Sequence, residues 1–159
     1  MKASGWNADV QTLVHIQRAS AADVQRLLPL CAEHAAYERL THSTNGDEDE
    51  LVSALRAERL HVWMAMEASV AIGYASATLD FSTLDRAMFL HMDCLYVREA
   101  WRGRGVGQQL WKAVHVFAGA QGCRNMQWQT PEWNVDAARF YRRLGAAETI
   151  KQRYVLRLE

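Results

Sequence analysis

The sequence predicts an α/β layer fold, a mixed and mostly antiparallel sheet flanked by helices in a single domain. Three observations predict it. β-rich runs and helix-period runs succeed one another as strand, two helices, three strands, helix, strand, helix, strand. Among the three central strand runs, the first two are separated only by a tight turn near Glu67–Ser69, as antiparallel neighbours are. The 159 residues, 50% hydrophobic and 23% charged, suffice for one domain, residues 1–159, with its own core. That core is taken as about 12–158, with residues 1–11 as a disordered tail.

Each element has its own signal. Thr12–Arg18 is short, β-branched and bounded by small residues, a first strand. Ser20-Ala21-Ala22-Asp23 resembles a capping box, and Val24, Leu27, Leu28, Cys31 and Ala35 follow at helical spacing. Pro29 falls inside that pattern and is expected to kink or interrupt the helix. An acidic, polar run, 41–50, reads as a solvated loop before a helix over about Asp49–Ala57. His61–Met66 and Val70–Phe81 are strands. A further strand, Ala87–Val97, alternates Phe89, His91, Asp93, Leu95 and Val97 on one face with Met88, Leu90, Met92, Cys94 and Tyr96 on the other. A helix over Val106–Ala120 turns Gly107, Leu110, Trp111, Val114, Phe117 and Ala118 inward. Met126–Thr130 is a strand. Asn134 caps a helix that runs to Leu144 and stops at Gly145. Lys151–Leu158 alternates again and is expected to be the last strand.

Composition removes several function classes. No apolar run approaches the ~18–20 residues that span a bilayer, and the N-terminus has no apolar signal region, so the expected location is cytoplasmic and no membrane partner is expected. Cys31, Cys94 and Cys123 are scattered, without a metal-ligand spacing, so neither a disulfide framework nor a bound metal is expected. The zero net charge hides an asymmetry: residues 1–97 carry 7 Lys+Arg against 13 Asp+Glu, and residues 98–159 carry 11 against 5. A basic second half suits an anionic ligand, and an acidic first half suits a cationic one. With the basic residues accounted for by such a ligand and no net charge, no nucleic acid is expected as a partner.

The most informative segment joins the Ala87–Val97 strand to the Val106 helix and reads Arg102-Gly103-Arg104-Gly105-Val106-Gly107-Gln108. Glycines leading into a helix present unpaired N–H groups and the positive end of the helix dipole to a phosphate or pyrophosphate. It is not a P-loop, because Gly107 is followed by Gln108 and Gln109 where Lys and Ser/Thr belong. It is not a dinucleotide fingerprint either, because the glycines are spaced G-x-G-x-G.

Arg102, Gly105 and Gly107 match the (Arg/Gln)-x-x-Gly-x-(Gly/Ala) pyrophosphate loop of the GNAT superfamily of N-acetyltransferases, which the chain resembles. Glu132-Trp133-Asn134, Phe140-Tyr141 and Leu144-Gly145-Ala146 are similar to the diamine (spermidine/spermine) acetyltransferases and their thialysine relatives. Arg18-Ala19-Ser20, Tyr37-Glu38 and Phe81-Ser82-Thr83 agree more loosely, so the likeness covers roughly residues 14–158. It implies the GNAT fold, acetyl-CoA as co-substrate, no metal and a homodimer.

The resemblance also implies roles. The backbone of Leu95, Tyr96 and Val97 bonds the pantetheine arm, with the Leu95 N–H polarising the thioester carbonyl. Arg102, Gly103, Arg104, Gly105, Val106 and Gly107 take the pyrophosphate with Gln108 close by, and Asn134 contacts the pantetheine. Tyr141 protonates the departing thiolate, whereas its spacing alone reads rather as filling the helix's core stripe beside Phe140.

The acceptor amine, with a pKa near ~10.4, arrives as ammonium and must lose a proton. Where similar diamine enzymes carry Leu-Glu-Asp, this chain has Met92-Asp93-Cys94, which makes Asp93 the candidate base, acting through a water. His91 shares or replaces that role. Asp93 could instead only bind the ammonium, and His91 could simply be packed. Cys94 invites an acyl-enzyme reading, but a lone thiol without a His/Asn partner reads as a small core residue. Trp101 and Trp133 read either as core or as channel lining. The acceptor expected is a small cationic amine: a polyamine, a diamino acid or an aminoglycoside. Glu33, Glu38 and the Asp47–Glu50 run supply its negative surroundings. Two other readings stay open: a protein or peptide N-acetyltransferase, and a non-catalytic acyl-CoA-binding domain.

Overall fold

The computed structural model describes residues 13–40, 47–156 and 158. The expected tail at 1–11 and most of the acidic loop, 41–46, lie outside them. Two compact units divide the chain between Trp128 and Gln129.

The first unit is built on a sheet of five strands in sequential order: β1 (Val14–Arg18), β2 (His61–Glu67), β3 (Val70–Ser82), β4 (Ala87–Val97) and β5 (Met126–Gln127). The first four are antiparallel, and β5 runs parallel to β4. The helices are α1 (Val24–Tyr37), α2 (Glu48–Arg56) and α3 (Val106–Ala120). Directly paired residues share a face of the sheet. Val62, Met64, Met66, Ala71, Tyr74 and Tyr96 therefore form one face, which packs with Val24, Leu27 and Leu30 of α1 and Leu55 of α2 into one apolar cluster. On the opposite face Trp63 meets Phe117 of α3, whose buried residues are Val106, Leu110, Val114 and Ala118. Arg18 lies over Trp63 and Phe117, at 4.6 and 4.7 Å from their ring centres, and closes that layer at the β1 edge.

The capping box is present: the Ser20 N–H donates to Asp23 Oδ2 at 2.9 Å, and the Ser20 hydroxyl is satisfied by the first turn. Asp47 caps α2 through the Asp49 N–H. α1 runs through Pro29 without interruption, against the expected break. Pro29 and Gln25 are both solvent-exposed, so the Gln25 carbonyl that loses its helical donor can be hydrated. The buried face of α1 is Val24, Leu27, Leu30 and His34, so Cys31 and Ala35 stand only at its border.

The second unit holds α4 (Val135–Arg143), capped by the Asn134 side chain on the Ala137 N–H at 3.2 Å and closed by Gly145 at φ +85°. Arg142 pairs with Glu148 at 2.7 Å beyond its end. The strand expected over Lys151–Leu158 does not form among the described residues. An alternating pattern becomes a strand only where a neighbour offers a ladder, and none pairs here; Tyr154, Val155, Leu156 and Leu158 are left exposed.

Candidate active site

The last four residues of β4 are laddered on one edge only. Its pairing with β5 is confined to Leu90–Met126 and His91–Gln127. Toward β3 the pairing continues to Gly73–Val97, and the Arg98 N–H then donates to Ile72 O at 2.9 Å. Backbone groups of alternate residues point to the same edge. Arg98 and Tyr96 therefore turn toward β3, while Leu95 and Val97 present their N–H and C=O to the unladdered edge. The Val97 carbonyl fits this parity, since it accepts from Arg102 Nε at 2.9 Å. Gly73 allows the close approach of β3 here: a Cβ at that position would stand 2.7 Å from the Tyr96 carbonyl oxygen and 3.2 Å from Val97 Cα.

A β-bulge lies just upstream. Met92 pairs with Ala77 and Cys94 with Ser76, leaving Asp93 opposite no residue of its own. The bulge corrects the alternation read from sequence. His91, Cys94 and Tyr96 share the α1 face, whereas Leu90, Met92, Leu95 and Val97 lie on the other. Asp93, at the bulge, is displayed with a side chain 61% exposed. His91 Nε2 stands 3.9 Å from Asp93 Oδ1, so the two candidate bases are adjacent.

Beyond β4, a short 3-10 turn at Glu99–Trp101 leads into the glycine loop. Gly103 and Gly105 both take left-handed φ, +72° and +79°, which a side chain would disfavour. Gly105 is the N-cap of α3 and offers no capping side chain; the first helical bond is Gln109 N–H to Gly105 O at 3.1 Å. The N–H groups of Val106, Gly107 and Gln108 thus have no helical acceptor and face the start of the helix. No acidic residue occupies that first turn. Arg102 and Arg104 flank it, one stacked over Tyr37 at 4.5 Å and the other over Trp101 at 5.1 Å. The donors, the charge and the glycine backbone suit a pyrophosphate.

Several residues that matter here carried no signal strong enough in the sequence. Arg98 binds Glu33 of α1 through Nη2–Oε1 at 2.7 Å and Nε–Oε2 at 3.0 Å, and donates to Ala71 O at 3.0 Å. These bonds hold the Glu33 carboxyl below its usual range and raise the Arg98 guanidinium above its own. Glu33 is therefore committed to Arg98 and not to surrounding a cationic ligand. His34, buried, stacks on Tyr96 at 5.1 Å between ring centres, places Nδ1 3.0 Å from the Tyr74 hydroxyl and Nε2 3.4 Å from Glu38 Oε1. Its position four residues before Glu38 was the available hint. Burial pushes His34 below its ordinary value and the Cys94 thiol up to about 12. A thiol so held is not a nucleophile near neutral pH.

In the second unit, Asn134 is engaged as the helix cap, and Tyr141 packs edge-on against Phe140 at 5.3 Å. Among the described residues no group of three or more His, Cys, Asp and Glu could hold a metal ion, and no helix is long and apolar enough to cross a membrane. A cleft of about 540 Å³ lies instead by β1, lined by Arg18, Ser20, Leu55, Arg56, Leu60 and Phe117; none of the candidate site residues borders it.

Known proteins resemble the chain along most of its length. The model of the acetyltransferase (GNAT) family matches residues 23–146. The thialysine N-epsilon-acetyltransferase of Bos taurus is 27% identical over 145 residues, 85% of each chain. The aminoglycoside N(6')-acetyltransferase type 1 of Salmonella typhimurium is 31% identical over 111 residues, 68% of this chain and 73% of its own. An aminoglycoside acetyltransferase from an uncultured soil metagenomic sample superposes with a TM-score of 0.82 at 18% identity, over 94% of this chain and 100% of that one.

Proposed function

The chain belongs to the acetyltransferase (GNAT) family and is an acetyl-CoA-dependent N-acetyltransferase, and from that premise we propose that its acceptor is a small cationic primary amine. A polyamine, a diamino acid and an aminoglycoside are the candidates. The observation that carries this reading is the exposed carboxylate of Asp93, raised on a bulge two residues before the unladdered edge at Leu95. The named relatives support it, since a thialysine and an aminoglycoside both offer an amine on a compact cationic molecule. We read residues 1–159 as one catalytic domain, which the fold likeness over 94% of the chain supports.

Acetyl-CoA supplies the activated acetyl group. In this proposal the Val106, Gly107 and Gln108 amides, with Arg102, Gly103, Arg104 and Gly105, bind its pyrophosphate. Leu95, Tyr96, Val97 and Asn134 hold the pantetheine arm, and the Leu95 N–H steadies the oxygen on which charge develops. Asp93, through a water and with His91 beside it, draws a proton from the ammonium so that the amine attacks directly in a ternary complex. Tyr141 gives a proton to the departing thiolate. A homodimer in the cytoplasm completes the proposal; the apolar residues exposed at Tyr154, Val155, Leu156 and Leu158 support a second copy.

The test is thiol release from acetyl-CoA across spermidine, putrescine, ornithine, thialysine, an aminoglycoside and a lysine peptide. Release that depends on a small amine and falls about 100-fold in Tyr141→Phe is expected. Release with the peptide alone assigns a protein substrate, and coenzyme binding without release on any amine overturns the enzyme assignment for these acceptors.

A further inference from the structure

The cleft by β1 takes no part in the reaction proposed above, and its wall is chemically mixed. Three charged side chains line it: Arg18 at the end of β1, Arg56 at the end of α2 and Glu58 just beyond. Leu55, Leu60 and Phe117 supply the apolar part. Its volume of about 540 Å³ falls within the range of small-molecule sites.

Arg18 is fixed in place but not neutralised. Its guanidinium stands 4.6 Å from the Trp63 ring centre and 4.7 Å from that of Phe117, and Nη2 donates to His61 Nδ1. A guanidinium carries several N–H donors, so others are left for a ligand. Among the described residues no carboxylate forms an ion pair with Arg18 or Arg56. The Glu58 charge is near enough to act on Arg18, against the effect of burial, yet the two do not touch.

Glu58 occupies a position that suits glycine better. α2 ends with the Glu58 N–H donating to Leu55 O at 3.2 Å and the Arg59 N–H to Ala54 O at 3.0 Å, a pairing whose left-handed residue is usually glycine. Here that residue is Glu58, at φ +52°. A carboxylate therefore stands in the cleft wall against the local backbone preference.

We propose that this cleft binds a free amino acid with a large apolar side chain. Arg18 and Arg56 take its carboxylate, Glu58 takes its ammonium, and Leu55, Leu60 and Phe117 receive its side chain. Charge decides the class. A phosphate or dicarboxylate gains the arginines but meets Glu58 as a like charge, and a simple amine gains Glu58 but meets two cations. A molecule with one charge of each sign on adjacent groups satisfies all three. Binding here is separate from acetyl transfer, since none of the residues assigned to the reaction borders the cleft.

The test is binding of L-phenylalanine to the full-length protein, measured by calorimetry and by amide shifts in NMR spectra. Saturable shifts at Arg18, Leu55, Glu58 and Leu60 are expected. 3-Phenylpropanoate lacks the ammonium and 2-phenylethylamine lacks the carboxylate, and each is expected to bind about tenfold more weakly or worse. Glu58→Gly separates the site from the fold: its melting temperature is expected to hold or rise while affinity falls about tenfold. Arg18→Gln is expected to lose affinity as well. Unchanged affinity in Glu58→Gly overturns the amino-acid assignment, as does binding of 3-phenylpropanoate or inorganic phosphate as tight as that of L-phenylalanine. Shifts at Asp93 and Leu95 in place of the cleft amides would put the amino acid at the reaction site and overturn the proposal. So would the lack of any saturable shift up to about 10 mM.

Discussion

Arg98 grips Glu33 with three contacts, Nη2 to Oε1 at 2.7 Å and Nε to Oε2 at 3.0 Å and to Oε1 at 3.2 Å, and so ties α1 to the end of β4. The pair spans 65 residues of sequence and stands where β4 hands over to the glycine loop. The same guanidinium reaches Ala71 O, so three elements meet at one side chain.

Both partners are about one-third exposed, which screens the attraction, so Glu33→Gln is expected to cost about 1 kcal/mol in urea unfolding at pH 7. The pH dependence has a definite sign. Glu33 is held below its unfolded value of about 4.3, so its contribution is complete above that pH and is lost as pH falls through the folded value. The difference between wild type and variant is therefore expected to close in the acid range below about pH 4. A gap of constant size down to pH 2.5 would show that the carboxylate's charge is not what stabilises the contact.

Gly73 has almost no room for a side chain. A methyl group there would meet backbone, the Tyr96 carbonyl at 2.7 Å and Val97 Cα at 3.2 Å, and backbone cannot rotate away as a side chain can. Gly73→Ala is expected to cost about 2 kcal/mol and to shift β4 where Leu95 and Val97 present their edge. Thermal unfolding and the affinity for coenzyme A should fall together. Unchanged affinity in a destabilised variant would separate the strand spacing from ligand binding.

What the sequence made legible, and what it did not, follows from where the information resides. The Arg102–Gly107 loop was readable because its glycines and the helix they start are adjacent in the chain. α3 was readable from the period of Leu110, Val114 and Ala118. The face of Cys94 was not, because a bulge is a two-against-one register between β3 and β4, and the letters of β4 alone do not record it. Glu33 looked available for a cationic ligand until Arg98, distant in sequence, claimed it. Gly73 did leave a trace, as an isolated glycine inside a strand run often marks a close backbone approach. The apolar alternation at 151–158 misled for a simple reason: a strand needs a partner as well as a pattern.

Gly105 differs from Gly73 in the origin of its constraint. Nothing lies within 4 Å of a Cβ placed there, but φ is +79°, so Gly105→Ala is expected to cost about 1 kcal/mol through conformation rather than collision. Relaxing that strain would turn the first amides of α3 away from one another. Calorimetric titration is expected to show weaker coenzyme A binding in Gly105→Ala than in Gln109→Ala, which alters α3 only after its first free amides. Equal affinities would mean that the left-handed cap does not organise the cradle.

Cys94 separates a direct transfer from one that passes through an acyl-enzyme. With its thiol pushed up to about 12, chiefly by burial, it is thiolate in only about one molecule in 10⁴ at pH 8, against about one in four for an ordinary thiol. Its proton is directed at Asp93, and the nearby carboxylate opposes a second negative charge. Two outcomes are expected. Peptide mapping after incubation with acetyl-CoA should find no acetyl group on Cys94, and initial rates at varied amine and acetyl-CoA should give intersecting double-reciprocal lines. Parallel lines together with an acetylated Cys94 would establish a covalent intermediate, and the role of Asp93 would then shift from deprotonating the amine to activating the thiol.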